Sequence, residues 1–451
     1  MKALESRTHA NLLNKQCIPN TVANTHTSTN LSNSRLVKLG INIGVALEYY
    51  DFMIYGLLMP FIMALFFQSN DPVVSTAKAF SVFALGYVAR PLGGILFGQL
   101  ADRKGRRDAF TGAMLLMGTA TLLIGLLPTQ ILLKTTYSAL PALLLIACRL
   151  AQGLSFGAEL PGAITITSET DDAHKRGFNC GFVISSTSIG AIFATGILAL
   201  LTYTLSPTDI SAWGWRIPFL LGGSLAFISW YLRTLMYETL EFMQIEQTQK
   251  NNKPWTPLHT IITQHPVSIL IGIGLMLFPA AMVITNVFFA THLISVYGFE
   301  PSSVYSEMTI ALATSIFFVL SFGWLVDYLG IKIVLICTCV VFTISCQHIF
   351  RLLDIHTNWG LLSFLILWQV FINASVACVL PWLTQIFPTE VRFTGVSLCY
   401  NMGYVLCAFL PTLYTFLGKI NPHIIPYTLC SIALIALVCT LIIERTQKIK
   451  A

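Results

Sequence analysis

Charged side chains inside long apolar runs are the residues of this chain whose types and spacing are best suited to chemistry. In the first run, Glu48 and Asp51 share one helical face with Gly44 and Tyr55. Carboxylates in hydrocarbon are unfavourable unless they are paired or protonated, so this pair indicates a functional role. Burial opposes the charged form of a carboxyl group and a nearby guanidinium favours it. A site that alternates between these settings can therefore load and release a proton.

Two arginines lie at the depths needed to pair with these acids. Arg90 in the second run lies at the depth of Glu48, which predicts a fixed ion pair between them. Arg149 in the fourth run lies near the level of Asp51, in a polar setting that favours switching between Asp51 and a substrate carboxylate. The predicted proton-coupling residues are Asp51, Glu48, Arg149, Arg90 and Glu159. A structural ion-pair network that never titrates is the alternative interpretation.

Neutral polar and aromatic side chains supply the candidate substrate contacts. The second half of the chain carries one charged residue inside its apolar runs, Glu307, so selectivity there must come from neutral groups. The predicted substrate-binding residues are Arg149, Tyr49, Tyr50, Gln152, Asn286, Trp368, Gln369, Asn373 and Tyr400. Polar groups also join helices and aromatic rings also fill cores, so packing is the competing interpretation for each of them.

The elements that must position these residues are membrane-spanning helices. Of 451 residues, 10% are charged and 55% are apolar, with a mean hydropathy of +0.72, which excludes an ordinary soluble domain. The runs predict twelve helices in an all-α membrane protein. Their predicted bounds are 39–67, 79–100, 109–128, 139–168, 178–204, 215–236, 266–297, 303–326, 331–353, 358–383, 394–417 and 424–443. We refer to these as the first to twelfth spans.

Polar segments divide the chain into five parts. Residues 1–38 form a polar tail without a signal-peptide pattern, and residues 237–265 form a cytoplasmic loop between two six-helix halves, 39–236 and 266–443. Residues 444–451 form a second tail. With both tails inside, 19 Lys and Arg residues lie on the cytoplasmic side and 5 on the outer side. This bias predicts a plasma (inner) membrane protein with both termini in the cytosol, and nucleic acid is not an expected partner.

A loop after the second span is repeated after the eighth. Gly98, Asp102 and Gly105 recur with identical spacing as Gly323, Asp327 and Gly330. A glycine permits close approach or a tight turn, and an aspartate can accept hydrogen bonds from helix-terminal N–H groups, so the loop is typical of a gate. The predicted gate residues are Gly98, Asp102, Arg103, Gly105, Arg106 and Asp327.

Several longer motifs carry a family resemblance. They are Leu47 to Phe52, Ala89 to Gly94, the gate loop, Arg149 to Gly153 with Glu159, Trp213 to Phe219, and Pro388 to Arg392. These resemble the metabolite:proton symporter family of the major facilitator superfamily, which includes carriers of proline and betaine, 2-oxoglutarate, citrate and shikimate. The resemblance implies a duplicated twelve-helix fold with a substrate path between its halves.

Together these features predict a secondary active transporter that imports a small polar metabolite with protons by alternating access. The substrate is a zwitterionic osmolyte such as proline or betaine, or an organic carboxylate. We expect a monomer driven by the proton gradient, without a cofactor or a metal; the eleven cysteines fit small apolar residues better than a metal framework. The alternatives are an exporter or exchanger of the same fold and a non-transporting membrane sensor. An enzyme is not expected, because no catalytic motif is present.

Overall fold

Prolines and short polar turns delimit long apolar helices in this computed structural model. The structure describes residues 40, 42–67, 69–104, 106–129, 139–157, 159–170, 173–234, 257–418, 420–421 and 423–450. Within them, nine segments are long and apolar enough to cross a membrane, and two shorter apolar helices are Thr111–Leu126 and Arg216–Ile228. Together with the first span, which is broken at Leu58, these eleven segments agree with the twelve helices expected from the sequence. The all-α class is confirmed.

The helices follow the predicted order. The first six spans are 42–57 with Met59–Phe66, Pro72–Lys104, Arg106–Leu126, Leu140–Phe156 with Glu159–Thr170, Arg176–Thr204, and Arg216–Thr234. The last six are Pro266–Ser295, Pro301–Leu329, Ile331–Phe350, Asn358–Ile386, Arg392–Cys407 with Leu410–Leu417, and Ile424–Lys450.

The largest differences from the predicted helix bounds occur at three places. The second span begins at Pro72, because Asp71 caps it through the Val73 N–H (2.9 Å) and proline suits the first helical position. A further helix, Pro257–Gln264, occupies the end of the segment predicted to be a loop. The last span continues to Lys450, so the backbone of the predicted second tail is helical as far as that residue.

Three spans are broken, and each break lies shortly before a proline. A proline ring removes one N–H and clashes with the carbonyl four residues earlier. Pro60, Pro161 and Pro411 follow breaks at Leu58, Gly157 and Ala408–Phe409. At the second break, the carbonyl of Gly157 has no N–H partner at Pro161, four residues later, and accepts a hydrogen bond from Asn401 of the eleventh span (2.7 Å).

Spans from the two halves pack directly against each other. The fifth and eighth spans approach at Gly177 and Gly323, where an added Cβ on either glycine would lie 2.6–2.7 Å from the other's carbonyl oxygen. The second span packs against the eleventh, where Tyr87 stacks on Tyr404 with 5.6 Å between ring centroids. Ile43–Ala451 forms one compact unit; Met1–Asn42 is a separate unit, of which Gly40 and Asn42 are described.

Candidate functional site

A central cavity of about 620 Å³ lies between the two halves of the bundle. Five of the predicted substrate-binding residues line it: Tyr49, Asn286, Gln369, Asn373 and Tyr400. Gln369 donates to Asn286 (3.2 Å), and Asn373 donates to the Gln369 carbonyl (2.8 Å). The described lining thus offers amide, hydroxyl and phenol groups among apolar side chains and carries no charged residue.

Three further polar lining residues were not among the predicted site residues. Thr187 and Ser188 of the fifth span and Tyr404 of the eleventh face the cavity. The sequence contains a signal for Thr187 and Ser188, because residues 185–188 carry four consecutive hydroxyl side chains in the middle of an apolar run. A hydroxyl there can bond its own helix carbonyl, as Thr187 does to Ile184 (2.7 Å), so composition alone does not identify a lining position.

Four predicted substrate residues lie outside this cavity. Tyr50 donates its phenol hydrogen to the Pro218 carbonyl (2.8 Å), which joins the first span to the sixth. Trp368 is fully buried among rings of the second half, with its centroid 4.7 Å from that of Phe289. Arg149 and Gln152 are buried within the first half and bond each other.

Aromatic rings surround Arg90. Its guanidinium carbon lies 4.1 Å from the ring centroid of Phe52, 4.0 Å from Tyr87, 3.9 Å from Phe156 and 5.1 Å from Tyr404. The predicted ion pair between Arg90 and Glu48 stays a prediction. A guanidinium stacks well on ring faces because it is planar and weakly hydrated.

Arg149 occupies the adjacent part of this aromatic wall. Its guanidinium carbon lies 4.5 Å from the centroids of both Phe52 and Tyr55, and its NH1 donates to Gln152 Oε1 at 2.8 Å. Phe52 therefore separates the two cations. The expected direct contact with Asp51 is not formed in this conformation, since neither carboxylate oxygen of Asp51 has a hydrogen-bond partner.

Asp51 lies in a second, smaller cavity within the first half. Glu48, Glu159 and Ser155 line this cavity of about 230 Å³ together with Asp51 and with methionines of the third span. Asp51 is 1% exposed, and neither of its carboxylate oxygens makes a well-formed hydrogen bond. Three of the five predicted proton-coupling residues thus line one cavity.

Polar contacts join the two halves at the end predicted to be cytoplasmic. Asp327 accepts hydrogen bonds from the backbone N–H groups of Gly177 (2.7 Å) and Phe178 (2.9 Å), at the start of the fifth span. Arg392 forms an ion pair with Glu169 at 3.0 Å. Each contact connects one half to the other, and the aspartate also complements the positive end of a helix dipole.

Contacts at the opposite end also cross between the halves. Tyr305 donates to the Leu57 carbonyl (2.5 Å), and Thr309 bonds Thr195 (2.9 Å). The central cavity therefore lies between two sets of contacts, one toward each end of the bundle.

Most of the predicted gate loop cannot be assigned contacts. The backbone of Gly98, Asp102, Arg103 and Arg106 is helical, whereas their side chains and the whole of Gly105 lie outside the described residues. Asp327, their counterpart in the repeat, is the gate residue that the structure places at a junction of the halves.

Comparison with known proteins identifies similar sequences. The profile of the Major Facilitator Superfamily matches residues 41–411. The "Inner membrane metabolite transport protein YhjE" of Escherichia coli (strain K12) is 30% identical over 381 residues, covering 81% of this chain and 83% of that protein. The "Glycine betaine/proline/ectoine/pipecolic acid transporter OusA" of Dickeya dadantii (strain 3937) is 29% identical over 420 residues, covering 90% and 82%.

A third curated relative and a solved structure agree with these matches. The "Shikimate transporter" of Escherichia coli (strain K12) is 29% identical over 379 residues, covering 83% of this chain and 86% of that protein. The partially occluded inward-open structure of the xylose transporter XylE from E. coli gives a TM-score of 0.71 at 16% identity, covering 90% of this chain and 96% of that one. The structural match supports the fold alone.

Proposed function

The chain belongs to the major facilitator superfamily and is a multi-pass membrane transporter, and from this premise we propose that it imports a small polar metabolite by proton symport. The central cavity is the observation that carries the proposal. Residues of both halves line it, and polar contacts between the halves lie toward each end. Rocking of one half against the other would break one set of contacts at a time and expose the cavity to each side in turn.

The cavity lining favours a substrate that is polar but compact. The lining amides and phenols can orient a substrate by hydrogen bonds. Arg90 lies behind Tyr404, so a substrate carboxylate would experience positive potential without a direct ion pair. A zwitterion such as proline or betaine, or an organic carboxylate, fits this combination. Relatives named as betaine, proline and shikimate transporters support the same classes.

The proposed coupling residues are separated from the substrate cavity. Asp51, Glu48 and Glu159 line the smaller cavity of the first half. A carboxylate at 1% exposure in an apolar interior is unfavourable without a partner, so Asp51 has reason to bind a proton when the transporter is in this conformation. The proton gradient would then supply the energy, and no cofactor would be required. We propose that the transporter acts as a monomer with both termini in the cytosol.

Transport into proteoliposomes tests the proposal. Labelled proline, glycine betaine, shikimate, citrate and 2-oxoglutarate would be offered to purified protein reconstituted with an acidic exterior, with and without a protonophore. We expect accumulation of at least one compound above its external concentration, and collapse of that accumulation by the protonophore. Accumulation that the protonophore does not reduce would contradict proton symport.

The same vesicles separate the alternatives. An exchanger would show uptake only when the vesicles are preloaded with substrate, and an exporter would accumulate substrate only when the gradient is reversed. A sensor would bind a compound without moving it. Each of these results would replace the import proposal.

A further inference from the structure

Three amide side chains of the second half line the central cavity. Asn286 belongs to the seventh span, and Gln369 and Asn373 lie one turn apart on the tenth. Each of them is at most 4% exposed. A buried amide is unfavourable unless its donors and acceptors find partners, so the groups that the protein leaves unpaired indicate what a ligand must supply.

The hydrogen bonds of these amides leave two oxygens for a ligand. Asn373 Nδ2 donates to the Gln369 carbonyl at 2.8 Å, and a backbone carbonyl only accepts, so the Asn373 amide oxygen takes no part in this bond. Gln369 Nε2 donates to Asn286 Oδ1 at 3.2 Å. That bond uses one oxygen of the two amides, whichever way they are turned, and leaves the other oxygen unpaired.

Both remaining oxygens are accessible from the cavity. Gln369 Oε1 and Asn373 Oδ1 form no hydrogen bond among the described residues, and neither is sealed within the protein as Asn401 Oδ1 is. The tenth span therefore presents two hydrogen-bond acceptors to a molecule in the cavity.

We propose that these two oxygens bind the ammonium group of a zwitterionic substrate through its N–H hydrogens, so that the cavity selects a primary or secondary ammonium over a quaternary one. This inference rests on the proposed function and narrows its substrate class. An ammonium N–H donates a charge-assisted hydrogen bond to an amide oxygen, which is about twice as strong as a neutral one. A quaternary ammonium has no N–H and leaves both oxygens buried and unpaired.

Two acceptors fit an ammonium better than a hydroxyl group. A hydroxyl carries one hydrogen and satisfies one of the oxygens, whereas a secondary ammonium such as that of proline carries two hydrogens. The described lining of the cavity has no carboxylate that could bind the cation instead. Recognition of the positive charge at the tenth span therefore depends on neutral oxygens.

The arginines of the first half favour the same orientation of the substrate. Arg90 lies behind Tyr404, with its guanidinium carbon 5.1 Å from the ring centroid, and Arg149 is buried nearby in the first half. Their positive potential attracts a substrate carboxylate toward the phenols of Tyr49 and Tyr404 and repels an ammonium group. The carboxylate thus lies on the side of the arginines and the ammonium on the side of the tenth span.

A methylation series tests the inference in purified protein without a proton gradient. Proline, N-methylproline and N,N-dimethylproline keep the ring, the carboxylate and the positive charge, and they carry two, one and no N–H hydrogens. Glycine, N,N-dimethylglycine and glycine betaine form a second series with three, one and none. Isothermal titration calorimetry in detergent gives the dissociation constant of each compound.

We expect the wild type to bind proline about tenfold or more tightly than N,N-dimethylproline, with N-methylproline between them. One unpaired buried acceptor corresponds to roughly a tenfold loss of affinity. Glycine betaine should bind more weakly than N,N-dimethylglycine for the same reason.

Two variants separate hydrogen bonding from steric exclusion. Gln369→Met and Asn373→Leu each replace one acceptor by an apolar side chain of similar size. Each should weaken proline binding and lower the preference for proline over N,N-dimethylproline at least threefold, because the methylated compound no longer leaves that oxygen unpaired. Gln347→Met, on the exposed side of the ninth span, is the matched control and should keep the preference of the wild type.

Three results would overturn the inference. The first is binding of N,N-dimethylproline by the wild type as tightly as proline, which would make the phenol rings the cation site and needs no variant to fold. The second is an unchanged preference in both Gln369→Met and Asn373→Leu, which would show that methyl groups are excluded by size. The third is no binding of any compound in either series.

Failure of the proposed function gives a different pattern. If no ammonium compound binds but shikimate, citrate or 2-oxoglutarate accumulates in a protonophore-sensitive manner, proton symport stands and the ammonium site is rejected. If proline binds with the expected dependence on its N–H groups but no compound accumulates, the ammonium site stands and proton symport is rejected.

Discussion

Asp51 is the residue on which the proposed energy coupling depends. Asp51→Asn keeps the size of the side chain but cannot exchange a proton, so we expect loss of uphill accumulation with retention of exchange down a gradient. Proteoliposome uptake at an imposed pH gradient measures uphill accumulation, and counterflow measures exchange. Asp209→Asn, an exposed acid outside the two cavities, is the matched control and should behave like the wild type. Gradient-driven accumulation in Asp51→Asn would remove Asp51 from the mechanism.

Arg90 is expected to stabilise the fold through ring contacts. Arg90→Ala removes a guanidinium that lies about 4 Å from three ring centroids and leaves a void among them, which corresponds to roughly 2–5 kcal/mol. We therefore expect a lower melting temperature in detergent and less folded protein. Arg90→Lys keeps the charge but not the planar stacking, so its melting temperature should lie between those of the wild type and Arg90→Ala.

The exposed Arg351→Ala is the control for that series and should melt like the wild type. If Arg90→Ala has the same melting temperature as the wild type, the ring contacts do not stabilise the fold. Thermal-shift measurements give the melting temperatures, and size-exclusion profiles give the amount of folded protein.

Matching depth predicted which charged residues lie deep in the bundle but not which of them touch. Depth along a helix follows from residue count, whereas the direction of a side chain around the helix axis depends on packing that one span does not reveal. Asp51 and Arg149 were matched by depth, and yet neither Asp51 oxygen has a hydrogen-bond partner, while Arg90 is surrounded by rings contributed by the first, second, fourth and eleventh spans. Such a cage arises from four separate segments, and no local pattern encodes it.

At the scale of helices, the approach of the sixth span fixes the position of Asp51. An added methyl group on Gly222 would overlap Asp51 Oδ1 and lie 2.6 Å from the Tyr50 ring. Gly222→Ala should therefore displace the first span and lower transport more than it lowers expression. Gly196→Ala is the control, because its added Cβ meets a single atom of Thr309 at 3.9 Å. Uptake normalised to folded protein decides the comparison, and equal uptake in both variants would show that the first and sixth spans can separate freely.

The helix breaks show what proline positions can and cannot predict. Pro60, Pro161 and Pro411 each follow a break, whereas Pro91, Pro279 and Pro381 lie inside continuous helices. A proline frees one carbonyl in either case. Whether the helix bends, continues or breaks depends on what neighbouring spans offer to that carbonyl, and this information lies elsewhere in the sequence.

At the scale of the whole molecule, Asp327 holds the halves together at the end predicted to be cytoplasmic. Asp327→Asn removes the negative charge that faces the start of the fifth span, so we expect this end to open more often. The native Cys180, which is fully buried one turn from Gly177, reports such opening by its rate of maleimide labelling, read by mass spectrometry.

We expect faster labelling of Cys180 in Asp327→Asn than in the wild type. Cys346, which is buried in the core of the second half, is the internal control and should label equally slowly in both proteins. An unchanged rate at Cys180 would mean that the other contacts between the halves, including the Arg392–Glu169 pair, are sufficient to keep this end closed.

The bond between Asn401 and the freed carbonyl of Gly157 has a consequence for the time course of transport. When the halves separate, this carbonyl leaves its partner in an interior with little water, and an unsatisfied carbonyl there costs about 1–3 kcal/mol. Intermediate positions are thus less favourable than either end state in which the carbonyl finds a donor or solvent. Movement of the halves should then occur as abrupt jumps between long-lived arrangements, and single-molecule distance traces should show discrete dwell times instead of gradual drift.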